Sequence, residues 1–153
     1  MKFLGIILLN LCWAAAGVSC AYKLKRKCLI SKELIEMCDL MAVELEFSAR
    51  ESGRIVDRLS SEPTLSHLDF LKSIDFENVN IRTELDGEDN EKINFLFDNI
   101  GKTDTSSMLN LLEAFRQNMN QSRKRYDEYY KSHAKLYVMF GIFGGFAITL
   151  VLI

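Results

Sequence analysis

The sequence has few of the residues that usually build reactive or metal-binding sites. Its 153 residues include two histidines and four cysteines. Neither histidine, His67 nor His133, has a cysteine, aspartate or glutamate at a spacing typical of a metal site or a catalytic triad. A nucleophile elbow and a dinucleotide-binding loop are also missing from the sequence. We therefore predict that the protein is not an enzyme and has no catalytic residue, no metal ion and no cofactor.

The cysteines lack the spacing of a disulfide framework or a zinc site. No Cys-x-x-Cys pair occurs. Cys28 and Cys38 fall on one predicted helix, where they would lie about 15 Å apart, too far for a disulfide. Cys12 lies within an apolar segment and Cys20 near its end. We expect reduced cysteines in a domain that faces the cytoplasm.

Charged residues are missing from both ends of the chain. None occurs from Phe3 to Tyr22 or from Tyr137 to Ile153. As helices, these segments would be roughly 30 Å and 25 Å long, comparable with a hydrocarbon core of about 30 Å. The sequence predicts an N-terminal, signal-peptide-like transmembrane anchor over residues 1–22, a soluble cytoplasmic helical bundle over 23–136 and a C-terminal transmembrane helix over 137–153.

The first apolar segment has a second interpretation as a cleaved signal peptide. Its small residues lead to Val18-Ser19-Cys20, which is similar to a lipoprotein cleavage site. A run of basic residues follows it directly, and such a run opposes translocation of the chain behind it. The basic run favours an uncleaved anchor, and cleavage remains the alternative.

Basic residues border both apolar segments on the side of the central region. Because positive charge stays on the cytoplasmic side, both borders predict a cytoplasmic central domain with both termini outside. Membrane lipid is the predicted partner, since each lysine or arginine close to anionic lipid contributes about 1 kcal/mol to membrane binding. These basic collars consist of Lys23, Lys25, Arg26, Lys27, Arg123, Lys124 and Arg125.

Apolar residues in the central region recur at steps of three and four, which is typical of helices. We predict that one helix continues from the first anchor to about Ser48, and that a short second helix carries Ile55 and Leu59. Pro63 suits the first turn of a third helix that runs to Ile74. Between Asp75 and Asn90 we expect a short irregular helix and a turn. A further buried helix carries Ile93, Phe95, Leu96, Phe97 and Ile100, and is closed by Gly101.

The last helix is predicted to be long, with Asp104 as its N-cap. One side of it carries a stripe of apolar or small residues at steps of four and three, which indicates packing against a partner. The resulting fold class is all-α, a helical bundle flanked by N- and C-terminal transmembrane helices. The stripe consists of Met108, Leu112, Phe115, Met119, Ser122, Tyr126, Tyr129, His133 and Leu136.

Gly141, Gly144 and Gly145 predict a flat helix face in the second apolar segment. Small side chains allow another helix to approach closely there. This neighbour is either the first anchor of the same chain or a different membrane subunit, and the spacing alone leaves both open.

Acidic residues are concentrated in the middle of the chain. Residues 33–113 hold 19 acidic and seven basic residues, a net charge of −12. This charge predicts either a solvated surface or a face that binds a basic protein partner. The candidate partner surface consists of Glu84, Asp86, Glu88, Asp89 and Glu91.

Two further motifs do not carry a ligand-binding function. Gly101-Lys102-Thr103 resembles the end of a phosphate-binding loop, but Leu96 occupies the place of the required glycine. Tyrosines lie among the basic residues that precede the second apolar segment. Such a mixture suits a membrane interface better than a nucleic-acid surface. We predict no nucleic-acid partner and no small-molecule substrate.

The last third of the chain resembles a known family. The turn Ile100-Gly101-Lys102-Thr103-Asp104 is similar to the Leu-Gly-x-Ser-Asp turn of stage III sporulation protein AB, a family of endospore-forming bacteria. Leu136-Tyr137, Gly141, Gly145 and the apolar end Leu150–Ile153 resemble the C-terminal anchor of that family. Residues 29–47 match its first soluble helix more loosely.

The resemblance implies a scaffold rather than a catalyst. It implies a helical domain similar to the inner-membrane platform of type II secretion, within the channel complex between mother cell and forespore. The expected partners are other sporulation channel subunits and a secretion-type ATPase. The expected location is the mother-cell membrane around the forespore, with the soluble domain in the mother-cell cytoplasm.

Two other functions remain alternatives at this point. The first is an exported lipoprotein or membrane-tethered binding module processed at Cys20. The second is a membrane-bound regulatory enzyme whose site the sequence does not reveal.

Overall fold

The computed structural model describes residues 2–47, 52–75 and 78–152, which are predominantly helical and contain no strand. This confirms the all-α class. In chain order the described elements are α1 (Lys2–Phe47), α2 (Ser52–Ser60), two short 3₁₀ helices (Pro63–Leu65 and Asp69–Lys72), α3 (Gly87–Asn99) and α4 (Thr105–Leu152).

The described part of the chain forms two compact units. One, which we call the helix pair, consists of Met1–Cys28 and Arg125–Ile153, and so contains the start of α1 and the end of α4. The other, the central unit, consists of Leu29–Lys124. Its buried core draws on each described helix, with fully buried side chains that include Leu34, Met37, Leu68, Ile93 and Leu112.

The first helix follows the sequence prediction closely. α1 runs without a break for 46 residues, through the basic collar and into the central unit. Its predicted apolar face is buried at Ile30, Leu34, Met37 and Met41. The predicted end near Ser48 falls on residues 48–51, which lie outside the described residues. α2 confirms the predicted short second helix.

The predicted third helix is wrong, because the structure has two separate 3₁₀ helices there. Successive backbone bonds join residues three apart, with Leu68 N–H donating to the Leu65 carbonyl (3.1 Å) and Leu71 N–H to that of Leu68 (3.0 Å). In a 3₁₀ helix, residues three apart lie above one another. The strict three-residue spacing of these leucines therefore buries all three, without a full α-helix.

The segment between Asp75 and Asn90 also differs from the prediction. Residues 78–86 are not helical, and α3 begins at Gly87 instead of near Ile93. Asparagine side chains of α3 satisfy the backbone of this segment, where Asn94 accepts from Ile81 N–H (2.6 Å) and donates to its carbonyl (2.9 Å). Asn90 likewise accepts from Thr83 N–H at 2.8 Å. These amides take the place of a neighbouring strand, so the segment needs no helix to satisfy its polar groups.

The turn between the last two helices is as predicted. Gly101 follows α3 with a φ of 79°, a conformation that glycine adopts without strain. Asp104 caps α4, since its Oδ2 accepts from the backbone N–H of Ser107 at 3.1 Å. A hydrogen bond with the Ser107 side chain, together with this backbone one, lowers the pKa of the Asp104 carboxyl below its usual value.

The buried stripe of α4 is shorter than predicted. It is buried from Met108 to Tyr126, but Tyr129 is 43% exposed and Leu136 46% exposed. His133 is half-buried and stacks on Tyr129 with ring centroids 4.0 Å apart. The apolar spacing continues past Tyr126, but the stripe residues beyond it are no longer buried.

Among the described residues, no helix combines the length and the apolar character needed to cross a membrane. The predicted flanking transmembrane helices thus have no support in the structure.

Candidate functional site

The described residues show no metal-binding or disulfide chemistry. No group of three or more histidine, cysteine, aspartate or glutamate side chains among them could hold a metal ion, and none of the four cysteines forms a disulfide. His67 pairs with the buried Glu33 of α1, whose carboxylate also accepts from the His67 backbone N–H at 2.8 Å. This pair fastens the segment between the 3₁₀ helices to α1.

The helix pair is closed by direct backbone contact at two glycines. A Cβ atom built on Gly17 would lie 2.6 Å from the Tyr137 carbonyl oxygen and 3.2 Å from the Gly141 Cα. A Cβ atom on Gly141 would lie 2.8 Å from the Trp13 carbonyl oxygen. Only glycine leaves room for an approach this close. Of the two neighbours that the sequence left open for Gly141, the structure places the first apolar segment of the same chain against it.

A partly buried polar contact lies beside Gly145. Asn10 Nδ2 donates to Thr149 Oγ1 at 2.7 Å, and Thr149 Oγ1 donates to the Gly145 carbonyl at 2.9 Å. A Cβ on Gly145 would lie 2.6 Å from the Asn10 side-chain oxygen. Gly144 is different, since its Cβ would meet the Trp13 ring at an ordinary 3.4 Å. Asn10, the one amide side chain in the first apolar segment, is the signal that the sequence prediction did not use.

Large apolar side chains cover the outside of the helix pair. Phe140 is 71% exposed and Leu11 69%, far above what an apolar side chain in a core shows. Exposed apolar patches of this kind are typical of surfaces that contact lipid, another protein or a ligand. The set includes Ile7, Leu8, Leu11, Trp13, Val18, Tyr22, Leu136, Met139, Phe140, Ile142, Phe143 and Phe146.

The basic collar of the helix pair surrounds a buried tyrosine. Lys27 Nζ lies 5.5 Å from the centroid of the Tyr126 ring, and Arg125 Cζ lies 5.3 Å from it. Both distances suit cation–π contacts. Lys23, Lys25 and Arg125 are exposed and Arg26 and Lys27 half-buried. In the central unit, Arg123 and Lys124 are exposed on α4.

Four of the five residues in the predicted acidic partner surface are exposed, and one is buried. Glu84, Asp86, Glu88 and Glu91 are exposed, whereas Asp89 is fully buried. Asp89 Oδ1 accepts from Ser122 Oγ at 2.8 Å and lies 3.8 Å from Lys92 Nζ. Asp89 precedes Ile93 by four residues and therefore shares the buried face of α3.

Phe95 was predicted to be buried and is instead 61% exposed. It lies on the rim of a groove of about 410 Å³ in the central unit, formed by one face of α3 and one face of α4. Leu96 and Phe115, which are buried, form the floor. Sequence periodicity assigned Phe95 to the core because it stands beside Leu96 and Phe97, and it did not reveal this groove.

The comparisons identify the family. The profile of stage III sporulation protein AB matches residues 73–153, more than half of the chain. The chain belongs to the stage III sporulation protein AB family. Comparisons with curated proteins and with solved structures found no significant match.

As a member of the stage III sporulation protein AB family, this is a sporulation-related protein, and the family resemblance noted in the sequence is confirmed. The matched region contains α3, α4, the groove at Phe95 and the glycines 141, 144 and 145. Asn10, Trp13 and Gly17, which pack against those glycines, lie outside it.

Proposed function

We propose that this member of the stage III sporulation protein AB family is a non-enzymatic scaffold subunit of the channel complex between mother cell and forespore. In this proposal it resembles the inner-membrane platform of type II secretion and couples a secretion-type ATPase to membrane subunits. Its partners are other sporulation channel subunits, the ATPase and membrane lipid. A scaffold of this kind needs no catalytic residue.

The helix pair is the observation that carries the proposal. Two glycines bring its backbones into contact, so its inner face is closed within the chain. Its outer face exposes large apolar side chains such as Phe140 and Phe146. Water disfavours such a surface, at about 25 cal/mol per Å². We therefore place the helix pair in the membrane, in contact with lipid and with apolar helices of other subunits.

The basic collars support the proposed location. They lie where each apolar segment gives way to charged sequence, so they suit the headgroups of the cytoplasmic leaflet. In this arrangement the central unit faces the mother-cell cytoplasm, and the membrane is the mother-cell membrane around the forespore. The exposed Glu84 and Asp86 lie in the central unit, on the side from which a soluble ATPase would approach.

The helix pair also supports retention of the first apolar segment. Processing before Cys20 would remove Asn10, Trp13 and Gly17, and with them the described contacts to Gly141 and Gly145. An exported lipoprotein would thus lose the packing of its last helix. This favours the scaffold over the alternative.

Substitution at Gly141 tests the scaffold proposal. Gly141→Leu forces a side chain into the Trp13 backbone, which should destabilise the helix pair by about 1–3 kcal/mol, the usual cost of overpacking. We expect sporulating cells with this variant to form far fewer spores, and its co-purification with other channel subunits to be lost. Carbonate-washed membranes should still contain it, because the outer apolar surface is unchanged.

Gly5→Leu is the matched control for this experiment. Gly5 lies on α1 in the helix pair, is exposed and has nothing within 4 Å of a built Cβ. It should change stability by no more than about 0.5 kcal/mol and leave spore counts unchanged. The scaffold proposal is rejected if the wild-type protein washes off the membranes, or if Gly141→Leu supports normal spore formation.

A further inference from the structure

One face of α3 is left uncovered in the central unit. Glu88, Glu91 and Phe95 are spaced by three and four residues, so they share this face, and all three are exposed. The opposite face is buried at Ile93 and Phe97, and Leu96, which lies between the two faces, is buried as well. Other apolar residues of α3 supply its buried face, so the core does not require the exposed Phe95.

A groove runs beside this face. Its other wall is α4, where Leu111, Ala114, Phe115 and Asn118 follow the same helical spacing. With Leu96 and Phe115 as floor and Phe95 and Leu111 as walls, its lining is mainly apolar. Its volume of about 410 Å³ is enough for several side chains, and its walls are two neighbouring helices.

The polar groups along the groove are mostly engaged within the chain. Lys92 Nζ pairs with Glu88 at 2.7 Å, and Asn118 Nδ2 donates to the Ala114 carbonyl at 2.9 Å. Glu91 differs, since it makes no ion pair with any described residue, and Lys92 pairs with Glu88 and Asp89 instead. The charge that the rim offers to a partner is thus a carboxylate, beside an apolar floor.

We propose that this groove binds one amphipathic helix of a protein partner, with an apolar side chain over Leu96 and Phe115 and a lysine or arginine facing Glu91. A groove between two helices accepts the apolar ridge of a third. The net charge of −12 over residues 33–113 attracts a basic segment and repels an acidic one. A small polar ligand would need convergent polar groups, which this lining does not provide.

The inference deepens the proposed scaffold function and rests on it, since it names the surface through which the central unit holds a partner. It assigns the partner by chemistry, as a basic amphipathic helix that is not part of this chain. Membrane attachment belongs to the helix pair and not to this groove, so the two claims can fail separately.

Photocrosslinking from the groove tests the proposal. In sporulating cells, the full-length chain carries p-benzoylphenylalanine in place of Phe95, which keeps an aromatic ring at that position. The control carries it in place of Val43, another apolar side chain of the central unit that is 53% exposed. The crosslinked peptide is then mapped by mass spectrometry. We expect an adduct from position 95 only, with a peptide that has net positive charge and apolar residues at steps of three and four.

A charge reversal completes the test. Glu91→Lys in the crosslinking chain should reduce the adduct by about fivefold or more, because it sets like charges against each other. Glu46→Lys makes the same change at an exposed carboxylate of α1 and should leave the adduct unchanged.

Four outcomes overturn the inference: an adduct with an acidic segment, an adduct with a second copy of this chain, an adduct with lipid alone, and no adduct specific to position 95. An equal loss in the Glu91 and Glu46 variants also overturns it. If the crosslinking chain still fractionates with membranes and supports spore formation, such a result leaves the scaffold function standing. Loss of the wild-type protein from membranes rejects the scaffold instead.

Discussion

Asp89 and Phe95 lie six residues apart on α3, and each has the burial that would be expected of the other. The carboxylate of Asp89 is buried and accepts a hydrogen bond from Ser122, while the ring of Phe95 is mostly exposed. Asp89 also lies in the first turn of α3, where the helix dipole favours negative charge. The exposed acidic surface on α3 therefore consists of Glu88 and Glu91 beside an aromatic ring, without Asp89.

Cys38 is the cysteine whose environment most changes its chemistry. Burial, together with the neighbouring negative charge of Asp39, raises the pKa of its thiol to about 12. The thiolate is the reactive form. At pH 8.5 alkylation of Cys38 by iodoacetamide in the folded chain should therefore be about 10³-fold slower than for an ordinary thiol.

Mass spectrometry of Cys38 peptides before and after unfolding in urea measures this difference. In urea the thiol regains its ordinary pKa. Cys38 should therefore be alkylated in urea during an incubation that leaves it unmodified in the folded chain. Equal rates in both states would contradict the buried position of Cys38 on α1.

The 3₁₀ helices and the segment before α3 show how an element can be set by neighbours instead of by its own periodicity. The leucines at 65, 68 and 71 have the three-residue spacing that fits either helix type. Residues 78–86 alternate like a strand, yet they are held by the side chains of Asn90 and Asn94. Sequence patterns predicted the continuity of α1 through the basic run, the stop of α3 before Gly101 and the cap of α4, because those depend on adjacent residues.

Asn94→Ala tests whether α3 holds the segment before it. The variant leaves the N–H and the carbonyl of buried Ile81 without their described partner. An unsatisfied buried group costs about 1–3 kcal/mol, so the free energy of unfolding should fall by that amount. Urea titration of the full chain in detergent micelles measures it, and hydrogen exchange at residues 78–86 should become faster.

Asn99→Ala is the matched control, since Asn99 lies on the same helix and its side-chain amide donates to the Phe95 carbonyl of that helix. Its effect should stay within about 0.5 kcal/mol, with exchange at residues 78–86 unchanged. Similar effects from both variants would mean that the Asn94 side chain does not hold residues 78–86 in place.

The two units of the chain have different surfaces. The helix pair presents apolar side chains outward and basic residues at its boundary, and the central unit is a helical bundle with an acidic surface. This division is consistent with the scaffold proposed above. The predicted division at residues 22 and 136 remains a prediction.

The mass of the mature protein tests whether both halves of the helix pair are retained. Since Asn10, Trp13 and Gly17 contact the end of α4, we expect the purified protein to have the full mass of 17.6 kDa. Intact mass spectrometry of the protein from membranes measures it. A lipid-modified chain that begins at Cys20 would instead establish the lipoprotein alternative, and a Cys20→Ser variant would then restore the full mass.

The sequence by itself determined the helical class, the uninterrupted first helix, the turn at Gly101 and the family. These features depend on local backbone preference and on residues adjacent in the chain, which periodicity and capping report directly. Only the tertiary structure decided that Gly141 meets Gly17, that Asp89 is buried and that Phe95 borders an open groove. A helix shows the same spacing whichever neighbour covers it, so the burial of each face depends on packing between segments far apart in the chain.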